Sequence, residues 1–297
     1  MRALWLVVLA GCIIPEKHLA PNCGTASCGT SEVCDKTDPN GPTCIPAAGD
    51  LDGDGIPNDK DFCEHVAGGA TDEDGDGIGD ICDPCPIAPP PATPDPDGDA
   101  VDRPCDPDPH TAGDQILLFE GFASGIPSTW TPTTAGAWTA GTGEVKVVAG
   151  ATSELLSTAV IAKANLAVEA AWQVDLVSPA STDHVVEVGA SDPRPAGVAS
   201  MSCGLERNDQ TVAETVSLVT NQSSAMNVET VKLFDPAKTY QVGAYATGGQ
   251  VACTAVEGGN AVDIVSAPIT PDGMAAVSIG ARAVSARFQW VLVVGRD

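Results

Sequence analysis

Apolar and polar residues alternate along the C-terminal part of the chain, from Ile116 onward. Successive side chains of a β-strand point to opposite faces, so this alternation predicts strands with one buried face. The clearest stretches place apolar side chains at Leu166, Val168, Ala170, Trp172, Val174 and Leu176, and at Phe288, Trp290, Leu292 and Val294. Residues 240–245 and 250–256 flank a Thr-Gly-Gly turn and are predicted to form a hairpin. Short strands without a long helical pattern predict an antiparallel β-sandwich over residues 115–297.

The middle of the chain lacks this alternation and instead repeats itself every 22 or 23 residues. The three copies are DLDGDGIPNDKD from Asp50, DEDGDGIGDICD from Asp72 and DPDGDAVDRPCD from Asp95. No helical periodicity flanks them, so helices like those of EF-hands are not expected. Residues 50–114 are therefore predicted to form an irregular stalk ahead of the sandwich.

Charge changes this picture, because the acidic residues are concentrated in the repeats. The formal net charge of -26 and the pI near 4.1 exclude non-specific binding to nucleic acid or to anionic membranes. Between Asp50 and Asp114 the only positive residues are Lys60 and Arg103. So dense a run of like charge repels itself and stays unfolded unless cations lie within it. The alternative is a flexible acidic linker without bound ions.

Calcium is the cation that fits the repeats, because it takes about six to eight oxygen ligands from tight loops. The first copy has Gly55 at its turn and offers oxygens from Asp50, Asp52, Asp54, the carbonyl of Ile56, Asn58 and Asp61. The second has Gly77 at its turn and offers oxygens from Asp72, Asp74, Asp76, the carbonyl of Ile78, Asp80 and Asp83. Calcium is therefore the predicted cofactor.

The third copy departs from the pattern. It keeps acidic side chains at positions one, three, five and twelve, which are Asp95, Asp97, Asp99 and Asp106. Ala100 replaces the turn glycine, and Arg103 places a positive charge at position nine. An alanine at a position that needs positive φ costs conformational energy. We expect weaker binding here, or a displaced geometry that uses Asp102 or Asp108.

Residues 50–108 resemble thrombospondin type 3 repeats, down to Asp-Phe-Cys after the first loop and Gly-Asp-Ile-Cys-Asp-Pro-Cys-Pro after the second. The resemblance implies a calcium-rich structure in which a cysteine after one loop pairs with a cysteine of the next. Carried over, the pairs are Cys63–Cys82 and Cys85–Cys105. Members of that family share carboxylates between neighbouring sites, so the number of ions is left open.

The first residues have the layout of an export signal, with Arg2, a short apolar run and small residues before a cysteine. Leu9-Ala10-Gly11-Cys12 resembles a bacterial lipobox, which implies removal of residues 1–11 and lipidation of Cys12. Ile13, rather than Asp, follows the cysteine, and by the same resemblance this favours anchoring in the outer membrane. Residues 12–22 then form a tether. The alternative is a plain signal peptide with a chance cysteine.

Cysteine usage supports export, since eleven cysteines less Cys12 leave an even number that an oxidising compartment can pair. Four of them lie in residues 23–48, a segment too short to bury a core. Their connectivity cannot be read from the sequence. The spacing resembles the first part of an EGF-like module, which implies Cys23–Cys34 and Cys28–Cys44.

Residues 119–147, FEGFASGIPSTWTPTTAGAWTAGTGEVKV, resemble the first strands of concanavalin A-like, or laminin G-like, jelly rolls. MSCGLERND and GGQVACTAVEGG resemble the paired central strands of that fold, with Cys203 and Cys253 placed to form a disulfide. The tryptophans of this domain could stack on sugar rings, but they are interpreted as core residues, because aromatic side chains dominate core burial.

No catalytic residue is predicted. The glucanases of this fold use closely spaced acidic residues on one strand, whereas Glu169 and Asp175 are six apart with no third partner between them. His110, His184 and the serines form no nucleophile motif. We therefore expect a non-catalytic, calcium-binding surface lipoprotein that presents its sandwich for adhesion, to a glycan or a protein. The alternatives are a glycoside hydrolase and a purely structural envelope protein.

Overall fold

A computed structural model of the chain describes residues 23–89, 95–148, 150, 153–181, 183–191, 201–208, 215–220, 230–232, 235–247, 250–257, 260–268 and 275–297. The predicted signal, lipidation site and tether therefore lie outside the described residues. Contacts divide the chain into two compact units after Pro89. The first two acidic loops belong to the first unit, and the third loop belongs to the second unit with the sandwich. Among the described residues, none forms a helix long and apolar enough to cross a membrane.

In the described part of the first unit, β1 (Glu32–Asp35) and β2 (Thr43–Pro46) form a β-hairpin. Disulfides join Cys23 to Cys34 and Cys28 to Cys44, the same pairs that the EGF-like resemblance implies. A third disulfide joins Cys63 to Cys82, between the two acidic loops. The apolar core of this unit is small, with Val33 and Phe62 its largest buried apolar side chains among the described residues. Cross-links and polar contacts must therefore supply much of its stability.

The second unit contains the remaining strands. They are β3 (Gln115–Glu120), β4 (Trp130–Pro132), β5 (Trp138–Ala140), β6 (Val145–Val147), β7 (Ser153–Ile161), β8 (Asn165–Val177), β9 (Asp183–Ser191), β10 (Met201–Asn208), β11 (Thr215–Thr220), β12 (Thr230–Lys232), β13 (Tyr240–Thr247), β14 (Gln250–Glu257), β15 (Asn260–Pro268), β16 (Ala275–Arg282) and β17 (Val284–Arg296).

These strands form two antiparallel sheets. One has seven strands in the order β12-β11-β10-β9-β16-β7-β4, and the other has eight in the order β15-β14-β13-β8-β17-β6-β5. Strand β3 pairs with β17 beside the second sheet. The chain passes repeatedly from one sheet to the other, for example between β8 and β9, between β12 and β13, and between β16 and β17, which packs the two sheets into a sandwich. The predicted fold class, mainly β with a C-terminal antiparallel jelly-roll sandwich, is confirmed.

The core lies between the two sheets and follows the alternation in the sequence. Along β8 the inward side chains are Leu166, Val168, Ala170, Trp172 and Val174, as predicted. Trp172 packs against Phe288 with ring centroids 5.5 Å apart. A disulfide joins Cys203 of β10 to Cys253 of β14 and so links the two sheets across this core.

Two β-bulges overturn the prediction near the ends of the long strands. A register shift between Ser285 and Ala286 turns Leu176 outward, where it is 56% exposed, and Val177 packs against the core instead. A bulge adds a residue to one strand, and every side chain beyond it changes face.

The second register shift, between Phe288 and Trp290, has the same effect on β17. Val291 and Val293 face the core, whereas the predicted inward residues Trp290, Leu292 and Val294 lie on the opposite face. Trp290 pairs with Ala171 of β8 on that outer face and is nevertheless buried. The assignment of Trp290 to the sandwich core was therefore wrong.

Truncation of Trp172 tests the core. Trp172→Ala should cost about 3–5 kcal/mol of unfolding free energy, because it leaves a large cavity. Trp172→Phe should cost much less, since the indole Nε1–H has no hydrogen-bond partner to lose. Urea unfolding curves of the two variants measure the difference, and equal losses would contradict this account of the site.

Candidate metal-binding loops and a pocket on the sandwich

The three acidic repeats fold into loops of the same geometry. In each, the carboxylate at position one accepts hydrogen bonds from the backbone N–H groups at positions four and six. The N–O distances are 2.7 and 3.0 Å at Asp50, 2.9 and 2.9 Å at Asp72, and 2.7 and 2.8 Å at Asp95. The residue at position six has a positive φ in every loop: 95° at Gly55, 88° at Gly77 and 73° at Ala100. The third loop therefore keeps the turn, and Ala100 adopts the strained backbone conformation that its position demands.

Within each loop the acidic side chains at positions one, three and five converge. One carboxylate oxygen of each lies within 4.8 Å of the other two, in the sets Asp50, Asp52, Asp54; Asp72, Asp74, Asp76; and Asp95, Asp97, Asp99. Asp52 Oδ2, Asp74 Oδ2 and both carboxylate oxygens of Asp97 are buried without a hydrogen-bond partner. A buried carboxylate oxygen without a donor is costly, so these atoms need a cation or a proton.

The position-nine residues brace the first two loops. Asn58 is buried, its Oδ1 accepts a hydrogen bond from Leu51 N at 3.0 Å, and its Nδ2 donates to Pro46 O at 2.8 Å. In the second loop Asp80 Oδ1 accepts from Glu73 N at 2.8 Å. Both side chains hold the start of the loop against its end.

Positions seven and twelve also contact the loop backbone. The N–H groups of Ile56 and Ile78 each donate to the position-five aspartate at 2.7 Å. At position twelve the buried carboxylates accept from the N–H two residues later, at 2.9, 2.7 and 2.8 Å for Asp61, Asp83 and Asp106. Sequence reasoning treated all these positions as ligands alike, whereas the structure separates the converging positions one, three and five from those that also brace the loop.

The third loop lacks the position-nine brace. Pro96 has no backbone N–H to donate where Leu51 and Glu73 do so, and Arg103 at position nine is exposed. The loop's position-five aspartate is held from outside the loop, as is Asp54 of the first loop, whose Oδ2 accepts from Gly68 N at 2.6 Å. Asp99 Oδ2 accepts from Gly113 N at 2.9 Å and from Asp114 N at 2.7 Å.

Arg296, near the end of β17, ties the same segment to the sandwich. Its guanidinium lies 3.1 Å from Asp108 Oδ2 and 3.4 Å from Asp114 Oδ2, and it also donates to the carbonyl of Thr111. Asp108, which we considered as a displaced ligand, is therefore an ion-pair partner of Arg296.

Burial and like charge act together on the loop carboxyls. Burial raises the pKa of Glu73 to about 7, and the neighbouring Asp80, Asp72 and Asp74 add to the effect. Burial likewise raises the pKa of Asp74 to about 6. In the third loop burial, followed by the charges of Asp97, Asp99 and Asp114, raises the pKa of Asp106 to about 6. Without a cation these carboxyls therefore ionise at a higher pH than free carboxyls do.

A pocket of about 480 Å³ lies within the second unit. Its walls include Pro104, Asp106, Pro107, Asp108 and Asp114, and its floor is the outer face of the eight-stranded sheet. On that floor the buried Glu169 accepts hydrogen bonds from the Tyr245 hydroxyl and, at 2.9 Å, from Gln241 Nε2. Burial raises the pKa of Glu169, although both hydrogen bonds oppose this. Thr254 and Arg296 complete the polar lining.

Sequence reasoning noted Glu169 but missed this pocket. Tyr245 and Thr254 lie on neighbouring strands β13 and β14, on the polar side of the alternation, and that alternation was the available signal. The remaining sequence candidates stay apart. Asp175 is paired with Arg287 at 2.7 Å, His184 is buried with Nε2 2.9 Å from Ser178 O, and His110 is exposed. Cys85 and Cys105 are buried, and their predicted pairing stays a prediction.

No protein-family model matches the sequence, and no curated protein matches it either. Solved structures similar to the chain include lectin II from Ulex europaeus, at 10% identity, a TM-score of 0.45, and coverage of 61% of this chain and 100% of that one. The Bacillus licheniformis β-glucanase is similar at 10% identity and a TM-score of 0.43, over 62% of this chain and 98% of that one. The Ca2+/Man3GlcNAc-bound exoplasmic/lumenal domain of VIP36 is similar at 10% identity and a TM-score of 0.39, over 56% and 83%. Similarities at this sequence identity and TM-score indicate neither a ligand nor an activity for this chain.

The raised pKa values predict how stability depends on pH. Glu73 and Asp74 have folded pKa values above their unfolded ones, so the calcium-depleted fold binds more protons than the unfolded chain. Its stability should therefore fall as pH rises from about 5 to about 8. Bound calcium should remove this loss by pairing with the ionised carboxylates. Thermal melts of calcium-depleted and calcium-loaded protein at both pH values measure the effect. Glu73→Gln combined with Asp74→Asn should flatten the slope of the depleted protein, and an unchanged slope would refute the assignment.

Proposed function

We propose that the protein is an exported, lipid-anchored, calcium-binding protein whose sandwich binds carbohydrate without catalysis. The observation that carries the proposal is the convergence of three carboxylates in each of three loops of the same geometry. Four of the carboxylate oxygens in these sets are buried and have no hydrogen-bond partner. The loops bind calcium, and the ions offset the repulsion among their own ligands.

Calcium suits the loops better than magnesium or zinc. The donors are carboxylate and carbonyl oxygens from an acidic loop, which is the environment that calcium takes. Magnesium keeps several waters and binds through only one or two protein carboxylates. Zinc prefers sites that include nitrogen or sulfur ligands. Extracellular calcium modules bind at about 10⁻⁴–10⁻³ M, so we expect the loops to fill outside the cell.

The role of calcium here is structural. The described part of the first unit buries few large apolar side chains, and its two loops bring six carboxylates into two clusters. Neutralising these clusters is a large part of what the fold requires, since like charges at such separations repel strongly. The disulfides of this unit support an oxidising location. Lipidation at Cys12 in the outer membrane completes the proposal.

The pocket is the place where the sandwich binds its ligand. Sugars present hydroxyl groups that both donate and accept hydrogen bonds beside apolar ring faces. The lining offers matching groups: the Tyr245 and Thr254 hydroxyls, the Arg296 guanidinium and the Asp108 carboxylate. Ala167, Ala246 and Ala252 supply small apolar surface between them. A neutral carbohydrate suits this mixture better than an anion, because acidic side chains line one wall.

The structure also offers an observation in favour of a glycoside hydrolase. Glu169 is a buried carboxyl with a raised pKa, and it shares the pocket with Asp106, Asp108 and Asp114. Glycosidases use one protonated and one ionised carboxyl on either side of the bond that they cleave. Asp175 cannot be that partner, because six residues along a strand separate it from Glu169 by about 20 Å. Hydrolysis would therefore require an aspartate of the third-loop segment.

Calcium titration of the full chain tests the loops. Asp52→Asn, Asp74→Asn and Asp97→Asn each remove one charged ligand and should weaken one site on the order of tenfold, because ligand charge sets calcium affinity. Asp59→Asn is the matched control, since Asp59 lies in the first repeat outside the converging set. Isothermal titration calorimetry gives both stoichiometry and affinity. Equal effects of Asp59→Asn and Asp52→Asn would count against specific sites.

A carbohydrate array probed with the calcium-loaded full chain tests the pocket. Tyr245→Phe and Thr254→Val should abolish or strongly weaken the binding of any glycan retained, because each removes one hydroxyl from the lining. Thr139→Val, an exposed change on β5 outside the pocket lining, is the control. An array without signal would overturn carbohydrate binding. Release of reducing sugar that Glu169→Gln abolishes would replace binding with hydrolysis.

A further inference from the structure

Outside the acidic loops, one histidine and two aspartates come together in the first unit. His65 Nε2 lies 2.9 Å from Asp35 Oδ2, and a carboxylate oxygen of Asp38 joins them, so that all three ligand atoms lie within 4.8 Å of one another. Asp35 is the last residue of β1, Asp38 lies in the connection to β2, and His65 follows the first acidic loop. The function proposed above uses none of these side chains.

The orientation of Asp35 is fixed by its neighbour Thr37. Asp35 is 0% exposed, and its Oδ1 accepts hydrogen bonds from Thr37 N at 2.9 Å and from Thr37 Oγ1 at 3.0 Å. These bonds leave Oδ2 directed at the imidazole of His65. Partners of this kind orient metal-binding carboxylates and raise the affinity of a site.

The same hydroxyl shows that negative charge is crowded here. Thr37 Oγ1 also lies 3.2 Å from Oε2 of Glu64, another fully buried carboxyl. A hydroxyl carries one proton, so it cannot donate to both carboxylates at once. Two buried carboxylates therefore lie close to this one hydroxyl, Asp35 at 3.0 Å and Glu64 at 3.2 Å.

Disulfides hold the backbone on both sides of the cluster. Asp35 follows Cys34, which is bonded to Cys23, and His65 lies two residues after Cys63, which is bonded to Cys82. Asp38 Oδ1 accepts hydrogen bonds from Asn40 N at 2.8 Å and from Asn40 Nδ2 at 3.1 Å. The ligand atoms are therefore positioned in advance.

We propose that Asp35, Asp38 and His65 form a binding site for a divalent transition metal, with zinc as the ion that fits best. Zinc takes imidazole nitrogen and carboxylate oxygen at about 2.0–2.2 Å, and the three candidate ligand atoms already lie within 4.8 Å of one another. Calcium prefers an all-oxygen set, so the imidazole separates this site from the acidic loops. Asp38 and the 39% exposed side chain of His65 leave the cluster open to solvent, so that water can supply a fourth ligand.

Zinc titration of the full chain in millimolar calcium tests the proposal. Every protein carries Cys12→Ser, which removes a thiol that could itself hold zinc. We expect one zinc per chain by calorimetry, and a Co²⁺ complex whose visible absorption reports the imidazole ligand. His65→Ala and Asp38→Asn should each weaken zinc by about tenfold or more, since each removes one of three ligands. His110→Ala, at an exposed histidine of the other unit, should change nothing.

Three outcomes would overturn the site. The parent chain would bind no zinc when calcium is present, or calcium would displace the bound zinc, which would place the zinc in the acidic loops. In the third outcome, His65→Ala and Asp38→Asn would bind zinc as tightly as the parent chain does. His65 and Asp35 would then be a simple ion pair. If His65→Ala fails to fold, Asp38→Asn decides, because it keeps the shape of the side chain.

Discussion

The repulsion among closely packed carboxylates is the constraint on which the irregular half of this protein depends. Three short loops each direct three aspartates toward one point, and backbone amides satisfy only some of the oxygens. The amides at positions four and six fix the carboxylate at position one and thereby set the shape of the loop. They do not neutralise the charge, which burial then magnifies, as the raised pKa values of Glu73, Asp74 and Asp106 show. The proposed cations would neutralise this repulsion. The small hydrophobic core of the first unit cannot offset it.

The sandwich is stabilised in a different way. Two antiparallel sheets enclose a continuous apolar core, and a disulfide spans it. The third acidic loop belongs to this unit through polar contacts, because Arg296 holds Asp108 and Asp114 and Asp99 holds the backbone at residues 113–114. The third loop, whose sequence departs most from the repeat, is thus the loop that contacts with the sandwich unit hold in place. The same contacts form one wall of the pocket, which links the proposed calcium chemistry to the proposed ligand site.

The periodicity of the sequence predicted much of the fold, and the predictions that were wrong have one cause. Alternation correctly identified the inward face of β8 from Leu166 to Val174. The aspartate register pointed to the three places where carboxylates converge, and their occupation by calcium stays a prediction. Alternation assigned the wrong face to Leu176, Trp290, Leu292 and Val294, because β-bulges change the face of every following side chain. A bulge in a run of apolar residues leaves no sign in composition. Its position depends on how the neighbouring strands pair, which a single strand's sequence does not contain.

The sequence by itself determined what is local. Aspartates at alternate positions around a glycine close a loop onto its own amides, and alternating hydrophobicity selects strands, since both effects act within a few residues. Only the tertiary structure decided where distant groups meet. Arg296 reaches Asp114 across 182 residues, Tyr245 reaches Glu169 across 76, and His65 reaches Asp35 across 30. Such contacts depend on the sheet order and on the disulfides that fold the chain back on itself. The pocket and the proposed zinc site could therefore not be predicted from the sequence, whereas the three acidic loops could.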